Sequence, residues 1–349
     1  MLFQVIKSVQ GLDQSAMNST RRRLDALTKP KGSLGRLEDL AVRLAGIAGG
    51  LPLPGRKVVI VMAADHGVAV EGVSAYPQEV TGQMLHNFLS GGAAINVLAR
   101  NAGADVIVVD MGIAGSPVNS GGLYNCRVRA GSGNMVVEPA MSRQEAVQAV
   151  EAGINIVQRE YGRGMRATAL GEMGIGNTTA SAAILTVLAG IDAAAAVGPG
   201  TGVSGAVWEK KLDVVRRAVT FQRPNANDPL DVLSKVGGLE IAGLAGVILG
   251  AAAHRLPVVL DGFVSTAAAM LAVSMAPACK DYMFASHLSA EPGHSQMLRW
   301  LGLDPVVHLG MRLGEGTGAV LFFTLMDAAV RVVREMATFD RAGVAGEIL

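Results

Sequence analysis

The sequence predicts an α/β protein: a doubly wound, mostly parallel sheet with helices on both faces, plus a small helical lobe. Two observations support this fold class. From residue 57 onward a short apolar run recurs, followed by a Gly-rich loop and then a helix-patterned segment. The runs are apolar on both faces, as is typical of parallel strands covered by helices. Right-handed crossovers would bring the loops to one carboxyl edge, where ligands bind in such sheets.

Six runs are predicted to be strands of this Rossmann-like sheet: 57–62, 106–109, 167–170, 194–197, 257–260 and 306–309. β-Branched residues, which favour strands, make up at least half of four of these runs. The loops that follow are rich in glycine, and several carry a carboxylate, namely Asp65, Asp110, Glu172, Asp261 or Glu315. The alternation therefore predicts that scattered glycines and carboxylates gather in one crevice.

The helix signals agree with this alternation. Ser142 and Glu145 have the spacing of a capping box, which predicts a helix running toward Tyr161. The uncharged stretches 173–191 and 262–278 predict buried helices. They are not expected to cross a membrane, because the first opens with polar residues and the second is shorter than the roughly 20 apolar residues of a span.

The N-terminal region has a different pattern. Two helical stretches flank residues 28–36, and 51–55 resemble a linker because they alternate leucine with proline and end in glycine. We therefore expect an α/β catalytic domain over 56–325 and a small helical lobe formed by 1–55 together with 326–349.

Composition excludes several classes of protein. The 349 residues can bury a large core, and Lys plus Arg number 30 against 29 Asp plus Glu, so no global charge attracts nucleic acid or an anionic membrane. A small-molecule partner is expected. Cys126 and Cys279 are too few for a disulfide framework, and the N-terminal segment lacks the pattern of a signal peptide. A cytoplasmic location is expected.

One Gly-rich loop has the position of an anion site. Gly174, Ile175, Gly176, Asn177 and Thr178 follow a predicted strand and open a predicted helix, where free amide groups and the helix dipole favour a phosphate. The loop is neither a P-loop nor a dinucleotide fingerprint. A tight turn that serves only helix packing is an equally good explanation.

A second Gly-rich loop, residues 198–202, contains Gly200, Thr201 and Gly202 and is a further candidate for phosphate binding. Lys210 and Lys211 follow about two helical turns later, near enough to return an ammonium group toward an anion. The alternative is that both lysines are exposed on a helix.

Glu172 and Glu315 lie on different loops of the same predicted edge and could face one substrate. Glycines on both sides of Glu315 leave its side chain uncovered by sequence neighbours. Partial burial there would raise the pKa of the carboxyl toward the range of a general base. The alternative for Glu315 is a helix N-terminal charge that complements the dipole.

Metal and nucleophile sites are not expected. The histidines do not have the spacing of a zinc motif, and no Gly-x-Ser-x-Gly elbow occupies a strand-to-helix turn. We therefore predict no metal site and no metal or organic cofactor.

Taken together, these segments resemble one family, the nicotinate-nucleotide:dimethylbenzimidazole phosphoribosyltransferases of cobalamin biosynthesis. Lys31 and Ala64 depart from the family pattern, where proline and glycine are common. The resemblance extends through nearly the whole chain, in the family's order, over residues 27–30, 32–38, 64–68, 79–81, 83–84, 171–179, 198–202 and 313–318.

The resemblance implies transfer of phosphoribosyl from nicotinate mononucleotide to 5,6-dimethylbenzimidazole, in a homodimer. Glu315 matches the general base and Glu172 the second carboxylate. Positions around the ribose phosphate match Gly174, Gly176, Gly200 and Lys211, and Gln83 falls in a segment that borders the base pocket. We expect Met84, Phe88 and Leu313 as further walls of that pocket.

Two alternatives remain at this stage. The same loops could serve a related transfer to another acceptor, such as adenine or a phenol. A non-catalytic nucleotide sensor could also use them, but such a protein would not need the base, and Glu315 is present.

Overall fold

The computed structural model describes residues 1–52, 55–115, 120–197 and 205–345. Within these residues six parallel strands form one sheet in the order β3-β2-β1-β4-β5-β6. The fold class predicted from the sequence is confirmed. The strands are β1 Arg56–Ala64, β2 Asp105–Gly112, β3 Leu123–Asn125, β4 Met165–Met173, β5 Val258–Leu260 and β6 Met283–Ala285.

Helices cover both faces of the sheet, as the apolar strands require. The described helices are α1 Leu2–Ser8, α2 Gln14–Asp25, α3 Arg36–Ala48, α4 Val80–Leu89, α5 Ala94–Ala102, α6 Arg143–Gly162, α7 Asn177–Ala189, α8 Ala193–Ala196, α9 Gly205–Gln222, α10 Pro229–Val236, α11 Leu239–Ala253, α12 Phe263–Met275, α13 Pro292–Leu301, α14 Thr317–Glu335 and α15 Phe339–Ala342. On one face α11 packs on β1, β2, β4 and β5 and against α6, while α14 packs on β4 and β5 and against α5.

The strand order creates the crevice. From β1 the chain moves outward through β2 to β3, returns to β4 on the other side of β1, and continues to β5 and β6. The direction therefore reverses between β1 and β4, and ligands bind at such a switch point, outside the carboxyl ends of the strands. Val61 of β1 pairs with Val108 on one side and Gly171 on the other.

Two predicted strands are wrong. Residues 194–197 lie mainly in α8, because alanine strongly favours helix and the Asp192 side chain caps this turn by accepting the Ala194 N–H at 2.8 Å. Residues 306–309 contribute an isolated parallel bridge between Val307 and His287 instead of a strand. β3 and β6 were missed because their three residues include no β-branched residue, whereas the equally short β5 was predicted from its two valines.

Other sequence predictions are confirmed. α6 begins after Ser142, whose hydroxyl accepts the Glu145 N–H while the Glu145 carboxylate accepts the Ser142 N–H. The uncharged stretches form α7 and α12, whose residues are mostly buried. Among the helices of the described ranges, none is long and apolar enough to span a bilayer.

The terminal segments pack against different parts of the molecule. α1 contacts α11 and α6, whereas α2 and α3 pack together and against α14. A single antiparallel bridge joins Leu27 to Thr338. α14 runs without a break across residue 326, where the helical lobe was expected to resume. The division into a catalytic domain and a lobe stays a prediction.

Candidate active site

A cavity of about 340 Å³ lies at the carboxyl edge of the sheet, beside the switch point. Its walls come from the loops that follow β4, β5 and β6, from the segment before α14, from α4 and the residues before it, and from one lysine of α9. The edge that the sequence analysis predicted to bind a ligand therefore carries a real cavity.

Glu172 is placed in this cavity by the end of β4. Its side chain is buried, and one carboxylate oxygen accepts a hydrogen bond from the Asn177 side chain. Burial and the negative charges of Asp261 and Glu240 raise the pKa of Glu172 to about 8, although hydrogen bonds from Asn177 and the Glu315 backbone act in the opposite direction. In the protein alone, Glu172 is therefore mostly protonated at neutral pH.

Glu315 enters the same cavity from a loop with unusual backbone geometry. Its φ is +63°, in the left-handed region that non-glycine residues rarely adopt, and Gly314 and Gly316 also have positive φ. The Glu315 side chain is buried, and its Oε2 has no hydrogen-bond partner among the described residues. Burial, together with the Asp261 charge, raises the pKa of this carboxyl.

The two glutamates are brought together by close backbone packing. A side chain at Gly171, the residue before Glu172, would collide with the carbonyl of Glu315, and a side chain at Gly314 would collide with Glu172 Oε1. Glycine at both positions lets the Glu315 loop lie directly on the end of β4. The sequence analysis predicted a shared edge, and the structure brings both side chains to one cavity.

Asp261, immediately after β5, holds the Glu315 loop in place. Its carboxylate accepts hydrogen bonds from the N–H groups of Gly316 at 3.1 Å, Gly318 at 2.7 Å and Ala319 at 3.0 Å. These groups belong to the N-cap residue and the first turn of α14, so Asp261 caps that helix from the loop after β5. The alternative role considered for Glu315 was a negative charge that complements the dipole at a helix N-terminus. At the N-terminus of α14, Asp261 supplies that charge.

The Gly-rich loop after β4 lines the cavity with all five predicted residues, 174–178. Gly176 has a φ of +99° and immediately precedes α7. Beneath the loop, His66 Nε2 lies 2.7 Å from Glu240 Oε1, and both side chains are buried. The side chain of His66 would contact a Cβ at Gly174 through its ring and a Cβ at Gly176 through its own Cβ. The loop is therefore both a close-packed turn and the start of a helix that faces the cavity.

Lys211 reaches the cavity from α9. Its side chain is only 2% exposed, and Nζ donates to Thr178 Oγ1 at 2.9 Å. Burial lowers the pKa of Lys211 to about 8, and the charge of Glu291 acts against this fall. The alternative that both lysines are exposed on a helix is wrong for Lys211, which is buried, but correct for Lys210. A cation and a helix N-terminus thus meet at one end of the cavity.

Comparisons with known proteins agree with this geometry. A family model described as a phosphoribosyltransferase matches residues 9–344. Proteins named nicotinate-nucleotide–dimethylbenzimidazole phosphoribosyltransferase from Desulforamulus reducens and Desulforudis audaxviator are 56% and 57% identical, with 99% of this chain covered in each case and 99% and 98% of the relatives. This chain belongs to the nicotinate-nucleotide–dimethylbenzimidazole phosphoribosyltransferase family.

The solved structures of this family have the same fold. The crystal structure of CobT from Thermus thermophilus is 47% identical, with a TM-score of 0.92 over 95% of this chain and all of the other. The resemblance inferred from scattered motifs is therefore confirmed over nearly the whole length.

The residues predicted for the base pocket divide into two groups. Met84 and Leu313 line the cavity. Gln83 is exposed on α4 and Phe88 is buried in the core, and neither lines it. Phe88 lies one helical turn beyond Met84 and belongs to the hydrophobic core.

The remaining apolar wall of this family member comes from residues that the sequence analysis did not single out, namely Val73, Val80, Met173, Phe263 and Val264, with Tyr76 at the exposed side. Gly200, Thr201 and Gly202 of the second Gly-rich loop lie outside the described residues.

Several polar residues of the cavity were also missed. His287, Ser289 and Glu291 follow β6, and Arg312 precedes the Glu315 loop. The short strand β6 gave no signal that the following loop would reach the edge of the sheet. Glu291 directly precedes Pro292 at the start of α13, a pattern that marks a helix N-terminus and could have drawn attention to this loop.

Proposed function

We propose that this chain transfers the phosphoribosyl group of nicotinate mononucleotide to 5,6-dimethylbenzimidazole, giving α-ribazole 5′-phosphate and nicotinate for the lower ligand of cobalamin. The names of the relatives support this choice of substrates. The observation that carries the proposal is the buried Oε2 of Glu315, which has no hydrogen-bond partner among the described residues and lies in the same cavity as Glu172, Lys211 and the Gly-rich loop.

The phosphate of the nucleotide binds where positive potential is concentrated. Lys211 supplies a buried ammonium group and Thr178 a hydroxyl. The backbone N–H groups of Gly176 and Thr178, which have no acceptor among the described residues, add to them at the N-terminus of α7. Gly174 and Gly176 let this loop pack closely on Ala64 and His66, which places its N–H groups at the cavity. Gly200, Thr201 and Gly202 are proposed to add backbone contacts to the phosphate or ribose, as the family resemblance implies.

Glu315 removes the proton of the acceptor. One ring nitrogen of the benzimidazole attacks the anomeric carbon, and the other must lose its N–H proton. A carboxylate with a free oxygen at hydrogen-bond distance accepts that proton. The raised pKa of Glu315 makes it a stronger base than an exposed glutamate.

Glu172 stabilises the positive charge that develops on the ribose. Nicotinate leaves from a pyridinium that is already cationic, so the leaving group needs no strong acid. The same cation, once bound, lowers the pKa of Glu172 from about 8 and ionises it. The carboxylate then faces the oxocarbenium-like transition state. Attack from the face opposite nicotinate converts the β-linkage to an α-linkage.

The acceptor is the part of this proposal that depends most on the pocket walls. Met84, Val80 and Val264 offer an apolar surface for a flat bicyclic base. Incubation with nicotinate mononucleotide and equimolar dimethylbenzimidazole, adenine and p-cresol should give α-ribazole phosphate as the main product by mass spectrometry. If the adenine or phenol product dominated, that compound would replace dimethylbenzimidazole as the proposed acceptor. The absence of product with all three acceptors would refute the transferase function.

A further inference from the structure

One buried carboxylate of the cavity has no role in the proposed chemistry. Glu291 is the N-cap residue of α13, in the loop that follows β6. It lines the cavity and is 6% exposed, and its Oε2 has no hydrogen-bond partner within the described ranges. A buried oxygen left without a donor is unfavourable, so a ligand that supplies the donor is expected there.

The loop holds Glu291 in a fixed position. The Ser289 hydroxyl accepts the Glu291 N–H at 3.3 Å, and the Ser289 N–H donates to His294 Nδ1 at 2.9 Å. His294 is itself buried and lies 3.0 Å from Thr266 Oγ1 on α12. The carboxylate is thus carried on a rigid support, which suits binding better than a mobile surface group does.

The neighbours of Glu291 locate it along the nucleotide. Lys211 is close enough for its charge to interact with that of Glu291, and Lys211 marks the phosphate end of the cavity. Glu172 and Glu315 mark the end where the glycosidic bond is exchanged. The ribose ring must lie between these two ends. Its 2′ and 3′ hydroxyl groups are donors, and an ionised carboxylate is purely an acceptor.

We propose that Glu291 binds the ribose hydroxyl groups of the nucleotide, with Oε2 accepting at least one of them. This proposal rests on the proposed function, because it takes the same nucleotide as ligand. It adds a selectivity to that function: the site distinguishes a ribonucleotide from a deoxyribonucleotide through a buried acceptor that a deoxy sugar leaves unsatisfied.

Nucleotide binding tests this role without interference from the chemistry. Dissociation constants for nicotinate mononucleotide and its 2′-deoxy and 3′-deoxy counterparts are measured by calorimetry, without acceptor, for the native chain and Glu291→Gln. The native chain should bind one or both deoxy nucleotides roughly 10- to 100-fold more weakly. Glu291→Gln should bind the ribonucleotide more weakly than the native chain by a similar factor. Its affinity for the deoxy nucleotides should differ little from that of the native chain.

Glu335→Gln is the matched control, because Glu335 is exposed at the far end of α14. It should reproduce the native affinities. The proposal would be overturned if Glu291→Gln still bound both deoxy nucleotides more weakly than the ribonucleotide by the native factor. It would also be overturned if the variant lost the same affinity for all three nucleotides, which would mean that Glu291 acts through the charge of Lys211 instead of binding the ribose. A native chain that binds these nucleotides but forms no product would refute the transferase and not this contact.

Discussion

Glu172 and Glu315 are two carboxylates in one cavity whose different surroundings suit different roles. Glu172 accepts a hydrogen bond from the Asn177 side chain, and the charges of Asp261 and Glu240 lie near it. Glu315 keeps one oxygen without a partner in the described structure and is less surrounded by negative charge. The first is held for a fixed electrostatic role, and the second is free to take a proton.

Replacing Glu315 by glutamine tests the second role, because the change preserves shape and removes the proton acceptor. We expect kcat to fall roughly 10²- to 10⁴-fold, the usual contribution of a general base. The dissociation constant for nicotinate mononucleotide should change less than about threefold, since the base meets the acceptor. Rapid-quench kinetics and calorimetry measure the two quantities. Turnover close to that of Glu335→Gln would remove Glu315 from the mechanism.

Individual residues also show where the sequence was sufficient. Glu172, Lys211 and residues 174–178 were identified from their positions after a strand or within a helix, and all line the cavity. Asp261 was not given a role because its hydrogen bonds are with residues distant in sequence, and Glu291 because the short strand β6 gave no signal for the loop that carries it. The three amides that Asp261 binds lie 55 to 58 residues away along the chain.

At the scale of elements, α14 depends on a capping residue from the loop after β5. Three backbone N–H groups of its N-cap residue and first turn point to Asp261, and the base Glu315 precedes them. The side chain that caps α14 therefore also sets the position of the base. Loss of the cap should affect stability and catalysis together.

Replacing Asp261 by asparagine tests this coupling. Asparagine retains one acceptor oxygen but removes the charge, and we expect a loss of about 2 kcal/mol in the free energy of unfolding by urea. Since the Asp261 charge raises the pKa of both Glu172 and Glu315, the pH profile of kcat/KM should also shift to lower pH.

Asp13→Asn is the matched control for this variant. Asp13 caps α2 by accepting the Ala16 N–H at 2.9 Å, and asparagine is an equally good N-cap residue. Its pH profile should equal that of the native chain. An unchanged pH profile in Asp261→Asn would show that Asp261 has a structural role alone.

The errors at the scale of elements have a common physical origin. Residues 194–197 were predicted as a strand because the pattern of a short apolar run does not distinguish strand from helix, and the alanine content was decisive. The edge strands β3 and β6 pair over three residues each. Short elements without β-branched residues are determined by their neighbours in the sheet, which a local pattern does not contain.

At the scale of the whole molecule, the architecture could be predicted because it follows from repetition. Long apolar strands that alternate with helices permit few topologies, and right-handed crossovers fix which edge carries the loops. The sequence could not supply the close approach of the Glu315 loop to β4, which depends on Gly171 and Gly314 fitting against each other. Contacts of this kind appear only when the chain is folded.

The cavity also affects the stability of the whole molecule. The fold raises the pKa of Glu172 from 4.5 to about 8, so between these pH values the folded chain binds a proton that the unfolded chain has lost. Stability from this group is therefore greatest below pH 4.5 and is lost as the pH rises to about 8. Keeping the ionised carboxylate in the cavity is a cost to folding.

Glu172→Gln should remove that cost. Each unit of pKa shift corresponds to about 1.4 kcal/mol. As the pH rises from about 5 to about 8, the free energy of unfolding of the variant should therefore increase by at least 2 kcal/mol, roughly, relative to that of the native chain. Above about pH 9 this difference should stay constant. Urea unfolding at several pH values measures this difference, and the exposed Glu335→Gln should show none. Lys211 ionises in both proteins and does not enter the comparison to first order. A difference that stays constant with pH would mean that the Glu172 carboxylate is no harder to ionise in the folded protein than in the unfolded chain.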